Sequence, residues 1–392
     1  MFLLFFKSIL SFLEVYLEAF SLKAIRENPL SFNRLLFLFI LFPLFICLQI
    51  IHFLGFLFDD IFFREYRSCS CDRLLFIIGI PRSGTTFLHR SIAQSDQTTT
   101  LTTWESILAP SIIEKKILCT LARLDSCFGQ PLKKIINRLI QSISGDFQRV
   151  HAVTVDAPEE DYLTLLPIGA SAILSFAFPH SKALRKLLNF ETMDAKEKAT
   201  ILEFYKKNIQ RHLYHQDSDR LFLSKNAAFC TWLPELKNYF PRAKFILSVR
   251  NPETAIPSQL KALNSARKLF GTDPKGTRTQ SIIHHAFQNN YRALNTFLAN
   301  TPETDRQLIC QESLRLEPEL LLKQALEGLA LDIKLPAGLA TATEGRQSNQ
   351  PKKTTQAEKD PIDPSLREYY KAIEKFAHRP SNIDKPHKAD HR

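Results

Sequence analysis

Residues 73–94, RLLFIIGIPRSGTTFLHRSIAQ, restrict the fold of this chain more than any other stretch. Leu74 to Ile80 is a short, apolar, β-branched run, the composition of a strand buried on both faces of a parallel sheet. Pro81 ends it, and Phe87, Leu88 and Ile92 then return at helical spacing. A turn leading from the carboxyl end of a strand into a helix aims several backbone N–H groups at one point, which suits an anion. Gly84 permits close approach of the backbone. Arg82 and the hydroxyls of Ser83, Thr85 and Thr86 add donors without adding negative charge. The loop is not a Walker A motif, because the Lys and the second Gly of that frame are missing.

A second strand–turn–helix follows at 243–258. The run AKFILSVR ends on Arg250, Asn251-Pro252 open a helix with Pro at a favoured first position, and Ser258 lies about two turns inside it. An Arg and a Ser so spaced converge on one phosphate. Pro257 is expected to kink that helix. A third stretch, Leu308 to Leu331, carries Glu312, Leu314, Glu317 and Pro318 between a late strand and a closing helix.

In this order, the three stretches resemble the sulfotransferases that use 3′-phosphoadenosine 5′-phosphosulfate (PAPS), over roughly residues 73–331. PRSGTT is similar to their phosphosulfate loop, P-[KR]-[ST]-G-T-[TS]. Arg250, Asn251, Pro252 and Ser258 are similar to their R-[DN]-P-x5-S pattern for the 3′-phosphate. Lys225 to Ile246 resembles the K-x-P-x-H run, departing from it at Ala227 and Phe229. Arg rather than Lys in the loop resembles the broad, largely bacterial branch. The resemblance implies an α/β fold, a P-loop-like three-layer α/β/α domain with a central parallel sheet, preceded by a hydrophobic helical N-terminal region. It implies PAPS as cosubstrate, no metal, and transfer of a sulfuryl group to a hydroxyl or amine acceptor; the apolar N-terminal region beside the domain points to a lipid or glycan as that acceptor. It assigns Arg82, Ser83, Gly84, Thr85 and Thr86 to the 5′-phosphosulfate, with Arg82 also catalytic, and Arg250 and Ser258 to the 3′-phosphate.

Between the two phosphate elements, HAVTVDAPEEDYLTLL (151–166) supplies the groups to activate an acceptor. A hydroxyl is a poor nucleophile until a base removes its proton. The related enzymes place a His at a similar distance, followed by P-E-E, so His151, Glu159 and Glu160 are the catalytic candidates. The bland reading is a helix start with Asp156 as N-cap and acids in its first turn.

The net charge of +11 suits an anionic cosubstrate or membrane surface. No zinc-finger, RNA-binding or basic-helix signature points to nucleic acid. Seven Cys without a framework, and no N-x-[ST] sequon, fit reduced thiols in a cytosolic domain. Residues 1–68 read as a membrane-associating helical region, 69–335 as the catalytic domain, and 336–392 as a polar segment with a late helix at 365–376. Leu35 to Phe58 holds 24 residues without Lys, Arg, Asp or Glu. That is long enough for one membrane span, and Pro43 can kink it. The rivals are a helix lying in one leaflet and a helix packed on the domain. Arg346, Lys352 and Lys353 either reach over the cosubstrate or sit on a solvated tail. The expected protein is membrane-associated with its catalytic domain in the cytoplasm. The alternatives are a P-loop phosphotransferase or kinase, and a membrane-anchored non-catalytic nucleotide-binding protein.

Overall fold

The structure is a computed structural model and describes residues 2–135, 138, 156–216, 219–336 and 363–377. His151, Arg346, Lys352 and Lys353 lie outside the described residues. Five strands, β1 (Leu74–Gly79), β2 (Thr98–Thr99), β3 (Leu221–Asn226), β4 (Lys244–Val249) and β5 (Arg306–Cys310), form a parallel sheet in the order β2-β3-β1-β4-β5. The α/β architecture with a central parallel sheet is therefore the one the sequence implies. Every residue of β1 is buried. Leu74, Phe76 and Ile78 join one apolar cluster and Leu75 and Ile77 join another, so helices must cover both faces.

The helices that matter for the site are α1 (Phe2–Glu18), α2 (Phe32–Phe62), α3 (Thr85–Ile92), α4 (Ile112–Cys127), α5 (Ala195–Gln216), α6 (Pro252–Phe270), α7 (Thr277–Asn300), α8 (Pro318–Gly328) and α9 (Pro364–Glu374). α3 and α8 cover the face of Leu75 and Ile77 through Leu88, Ile92, Leu322 and Ala325. On the opposite face, α5, α6 and α7 share a cluster with Phe12 of α1 and Phe42 and Phe56 of α2. The N-terminal helices are thus continuous with the core of the sheet domain.

α2 is continuous through a π turn at Phe37–Leu41, where the Phe42 N–H donates to the Phe37 carbonyl. Pro43 follows immediately. Its ring crowds the carbonyl four residues back, and a wide turn there relieves the crowding without breaking the helix. Among the described residues, α2 is the one helix long and apolar enough to cross a membrane. α6 likewise continues through Pro257 to Phe270.

The sequence reading places a helix start at Asp156, but the 3-10 helix begins at Asp161 (Asp161–Ile168). Before it, Asp156 and Ala157 turn, Pro158 bridges Thr102, and Glu160 is extended. Thr103 N–H donates to the Ala157 carbonyl at 3.0 Å, and Glu159 N–H donates to the Leu101 carbonyl at 3.1 Å. These cross-chain bonds take the backbone groups that a helix starting at Asp156 would have used.

Candidate functional site

β1 ends at Gly79 against β4, where a Cβ would overlap the Ser248 carbonyl. Close contact here places the loop after β1 directly beside the end of β4. Ile80 N–H donates to the Ser248 carbonyl at 2.9 Å, and the Ser248 hydroxyl donates to the Ser83 carbonyl at 2.7 Å. Ser248 is a residue the sequence reading missed. It sits inside an apolar strand with no local signal of its own.

The loop turns on Arg82 (φ 72°) and Gly84 (φ 97°). α3 begins at Thr85 with Gly84 as its N-cap and no side-chain cap bond. The Phe87 N–H donates to the Gly84 carbonyl at 2.9 Å, which leaves the Thr85 and Thr86 N–H groups at the head of α3 without an intrahelical acceptor. The Ser83 hydroxyl is buried with no hydrogen-bond partner among the described residues. A buried polar atom left over in this way is what an anion acceptor would satisfy.

The two strand–loop–helix elements meet. Arg82 Nε donates to Ser258 Oγ at 3.2 Å, and Arg250 Nη1 donates to the Arg82 carbonyl at 3.1 Å. Arg250 Nε also donates to Thr254 Oγ1 at 3.0 Å, and the Tyr291 hydroxyl donates to the Arg250 carbonyl. Burial, with Arg315 and Arg82 nearby, depresses Arg250 below the usual guanidinium range against the opposing pull of Glu312 and Tyr291. Such crowding of cations is costly without an anion between them. Arg315, Thr254 and Tyr291 were not anticipated. Only Arg315 had a legible cue, a basic residue just past the late strand.

The third stretch closes the loop. On the short helix Gln311–Leu316, Leu314 lies where a Cβ on Gly84 would touch it at 3.0 Å. Glu312 accepts from the Asn251 N–H at 3.3 Å. One turn of chain thereby packs against both strand–loop–helix elements.

On the other side of β1, Lys225 pairs in register with Ile77. Its ammonium meets Glu160 at 2.5 Å, and the Glu160 N–H donates to Glu159. Burial raises the Glu159 carboxyl above its ordinary range, against the attraction of Lys225. His89 of α3 is fully enclosed; burial, then Lys225 and Arg90, push it well below the usual imidazole value. Its Nε2 faces Thr100 Oγ1 at 2.7 Å and its Nδ1 has no partner among the described residues. Asp161 anchors this side by accepting from Tyr205, Ser224, Asn226 and the Lys225 N–H. Arg82, Ser83, Gly84, Thr85, Arg250 and Ser258 thus come together at one edge of the sheet. Thr86 follows on the first turn of α3, and Glu159 and Glu160 cluster on Lys225 beside them.

An all-parallel α/β sheet therefore carries these residues at the carboxyl ends of β1 and β4, beside the unpartnered Ser83 hydroxyl. The chain belongs to the sulfotransferase family, whose model matches residues 75–334. Among solved structures, it is similar to the sulfotransferase STF1 from Mycobacterium tuberculosis H37Rv at 14% identity. That match has a TM-score of 0.61 and covers 94% of this chain and 92% of the other. It is also similar to the sulfotransferase STF9 from Mycobacterium avium at 13% identity and a TM-score of 0.54, over 82% and 79% of the two chains. At such identities the likeness is one of fold. No curated protein matches the chain significantly. The protein is thus a transferase of the sulfotransferase family.

Proposed function

We propose that the protein transfers the sulfuryl group of PAPS to a hydroxyl. The observation that carries this reading is the meeting of Arg82, Arg250 and Ser258 beside the unpartnered Ser83 hydroxyl. The family generally uses PAPS, and two linked cationic seats suit a nucleotide charged at both its 5′ and 3′ positions. In this reading the loop N–H groups, with Ser83, Thr85 and Thr86, hold the 5′-phosphosulfate, while Arg250 and Ser258 hold the 3′-phosphate. The acceptor oxygen attacks sulfur in line, forming an O–S bond as the bond from sulfur to the bridging phosphate oxygen breaks. Adenosine 3′,5′-bisphosphate leaves, and Arg82 neutralises the charge growing on that oxygen. The acceptor proton passes to a base, for which Glu159 and His151 are the competing groups and Lys225 holds Glu160 in place beside Glu159. No step calls for a metal. The catalytic domain works in the cytoplasm, where PAPS is made.

Calorimetry of the full chain against adenosine 3′,5′-bisphosphate and ATP tests the donor assignment, and labelled PAPS with membrane extracts reports transfer. Tight bisphosphate binding with labelled product is expected. Stronger binding of ATP would instead favour the phosphotransferase reading, and failure to bind either would favour a non-catalytic protein.

A further inference from the structure

α2 is apolar on both faces, since Phe37, Leu38, Phe42, Phe53 and Phe56 are buried against the domain while a second apolar set points away from it. Its polar residues Arg34, Gln49, His52 and Asp59 are at most 2% exposed, whereas Phe39, Leu44, Ile51, Leu54 and Phe62 are each more than half exposed. A helix packed on a domain in water turns one apolar stripe inward and polar residues outward, so the outer apolar face is the anomaly.

The buried polar residues explain why the helix lies this way round. Arg34 donates to the carbonyls of Ala177 at 2.8 Å and Phe270 at 3.3 Å. His52 sits between Glu114 at 2.6 Å and the Ile107 carbonyl at 3.1 Å. Asp59 pairs with Arg211 at 3.0 Å and accepts the Ile112 and Ile113 N–H groups that open α4. The first and last of these contacts lie at opposite ends of α2, and both are made to the same folded domain.

That rules out a crossing. A helix of 31 residues is about 46 Å long, against a hydrocarbon core of about 30 Å. Standing it across a bilayer would drag α4, α5 and the 161–178 region into lipid with it.

α1 runs antiparallel beside α2, with Phe5 on Phe53 at 4.4 Å and Tyr16 stacked on Phe42 at 5.3 Å. At 3.6 residues per turn, its exposed Phe2, Leu3, Phe6, Leu10, Leu13 and Leu17 share one face. The exposed charges Lys7, Glu14 and Glu18 fall on a single narrow stripe along that face's edge. Charges lined along one edge, rather than gathered at the helix ends, match a helix lying flat where headgroups meet acyl chains.

We propose that α1 and the outer face of α2 lie in the plane of one membrane leaflet, apolar side down, making the protein monotopic. The proposal is independent of the donor chemistry. The test uses the full chain, purified in mild detergent and mixed with vesicles of phosphatidylcholine and phosphatidylglycerol. The wild type should float with the vesicles. L44E/L54E, altered at two exposed positions, should lose flotation at least tenfold while binding adenosine 3′,5′-bisphosphate as before. Flotation of this variant like the wild type would overturn the proposal. So would a wild type that ignores vesicles and forms a dimer by light scattering. Depth is read with C47W and F62W against lipids brominated near the headgroup or at the chain end. Equal, shallow quenching at both positions is expected. Deep quenching at 47 with shallow quenching at 62 would mean a span and end the in-plane reading.

Discussion

Arg82 occupies the left-handed region at φ 72°, which costs a residue with a Cβ on the order of 1 kcal/mol. The Ser258 and Arg250 bonds hold it there. Arg82→Gly should therefore fold at least as stably as the wild type, seen as an unchanged or higher unfolding midpoint. In a turnover assay with labelled PAPS it should lose about 10²-fold or more in kcat. Arg250→Ala removes a cation from the second seat, so the Kd for adenosine 3′,5′-bisphosphate should rise by about tenfold or more in calorimetry. Burial raises Glu159, so as a base it would give kcat/KM an acid limb above the ordinary carboxylate range, with activity rising as pH increases through it. Glu159→Gln should abolish that limb. An unchanged limb, lost instead in His151→Gln, would move the base to His151. The native state also binds the Glu159 proton more tightly than the unfolded chain does. Its carboxylate therefore opposes folding at neutral pH, and Glu159→Gln should raise Tm at pH 7 but have little effect below the ordinary carboxylate range.

At the scale of elements, the strand–loop–helix units were legible because their signals are local. An apolar run, a Pro, a Gly and a helical spacing all lie within about twenty residues of one another. The stretch before Asp161 was not legible, because its form depends on pairing with Leu101 and Thr103, more than fifty residues away. The same limit applied to α2. Its hydropathy alone allows a span, and only the partners of Arg34, His52 and Asp59 decide its orientation. Asp59 makes the most enclosed of these connections, since Arg211 is fully buried between the rings of Phe56 and Tyr66 at 4.5 and 4.6 Å. Asp59→Ala would leave that cation only Asp60, at 3.7 Å, as a counter-charge, and would take from the Ile112 and Ile113 N–H groups the acceptor they have beside the Ser111 cap. It should cost about 3–5 kcal/mol in denaturant unfolding.

For the whole molecule, the apolar cluster that joins Phe12, Phe42 and Phe56 to Phe76 makes the first 68 residues part of the folded body. Removing residues 1–68 should not release a soluble catalytic domain. The truncated chain is expected to aggregate or to lack a cooperative melting transition, and a well-folded, bisphosphate-binding fragment would contradict this. The strand order β2-β3-β1-β4-β5 divides the proposed site at its central strand. The seats assigned to the donor lie toward β4 and β5, and the carboxylates assigned to the acceptor lie toward β3. Descendants of such a chain can diversify one half by insertion or drift between residues 97 and 216 while leaving the other half intact. A new acceptor could then be recruited without rebuilding the machinery for the common sulfuryl donor, which is a route to functional radiation from a single ancestral scaffold.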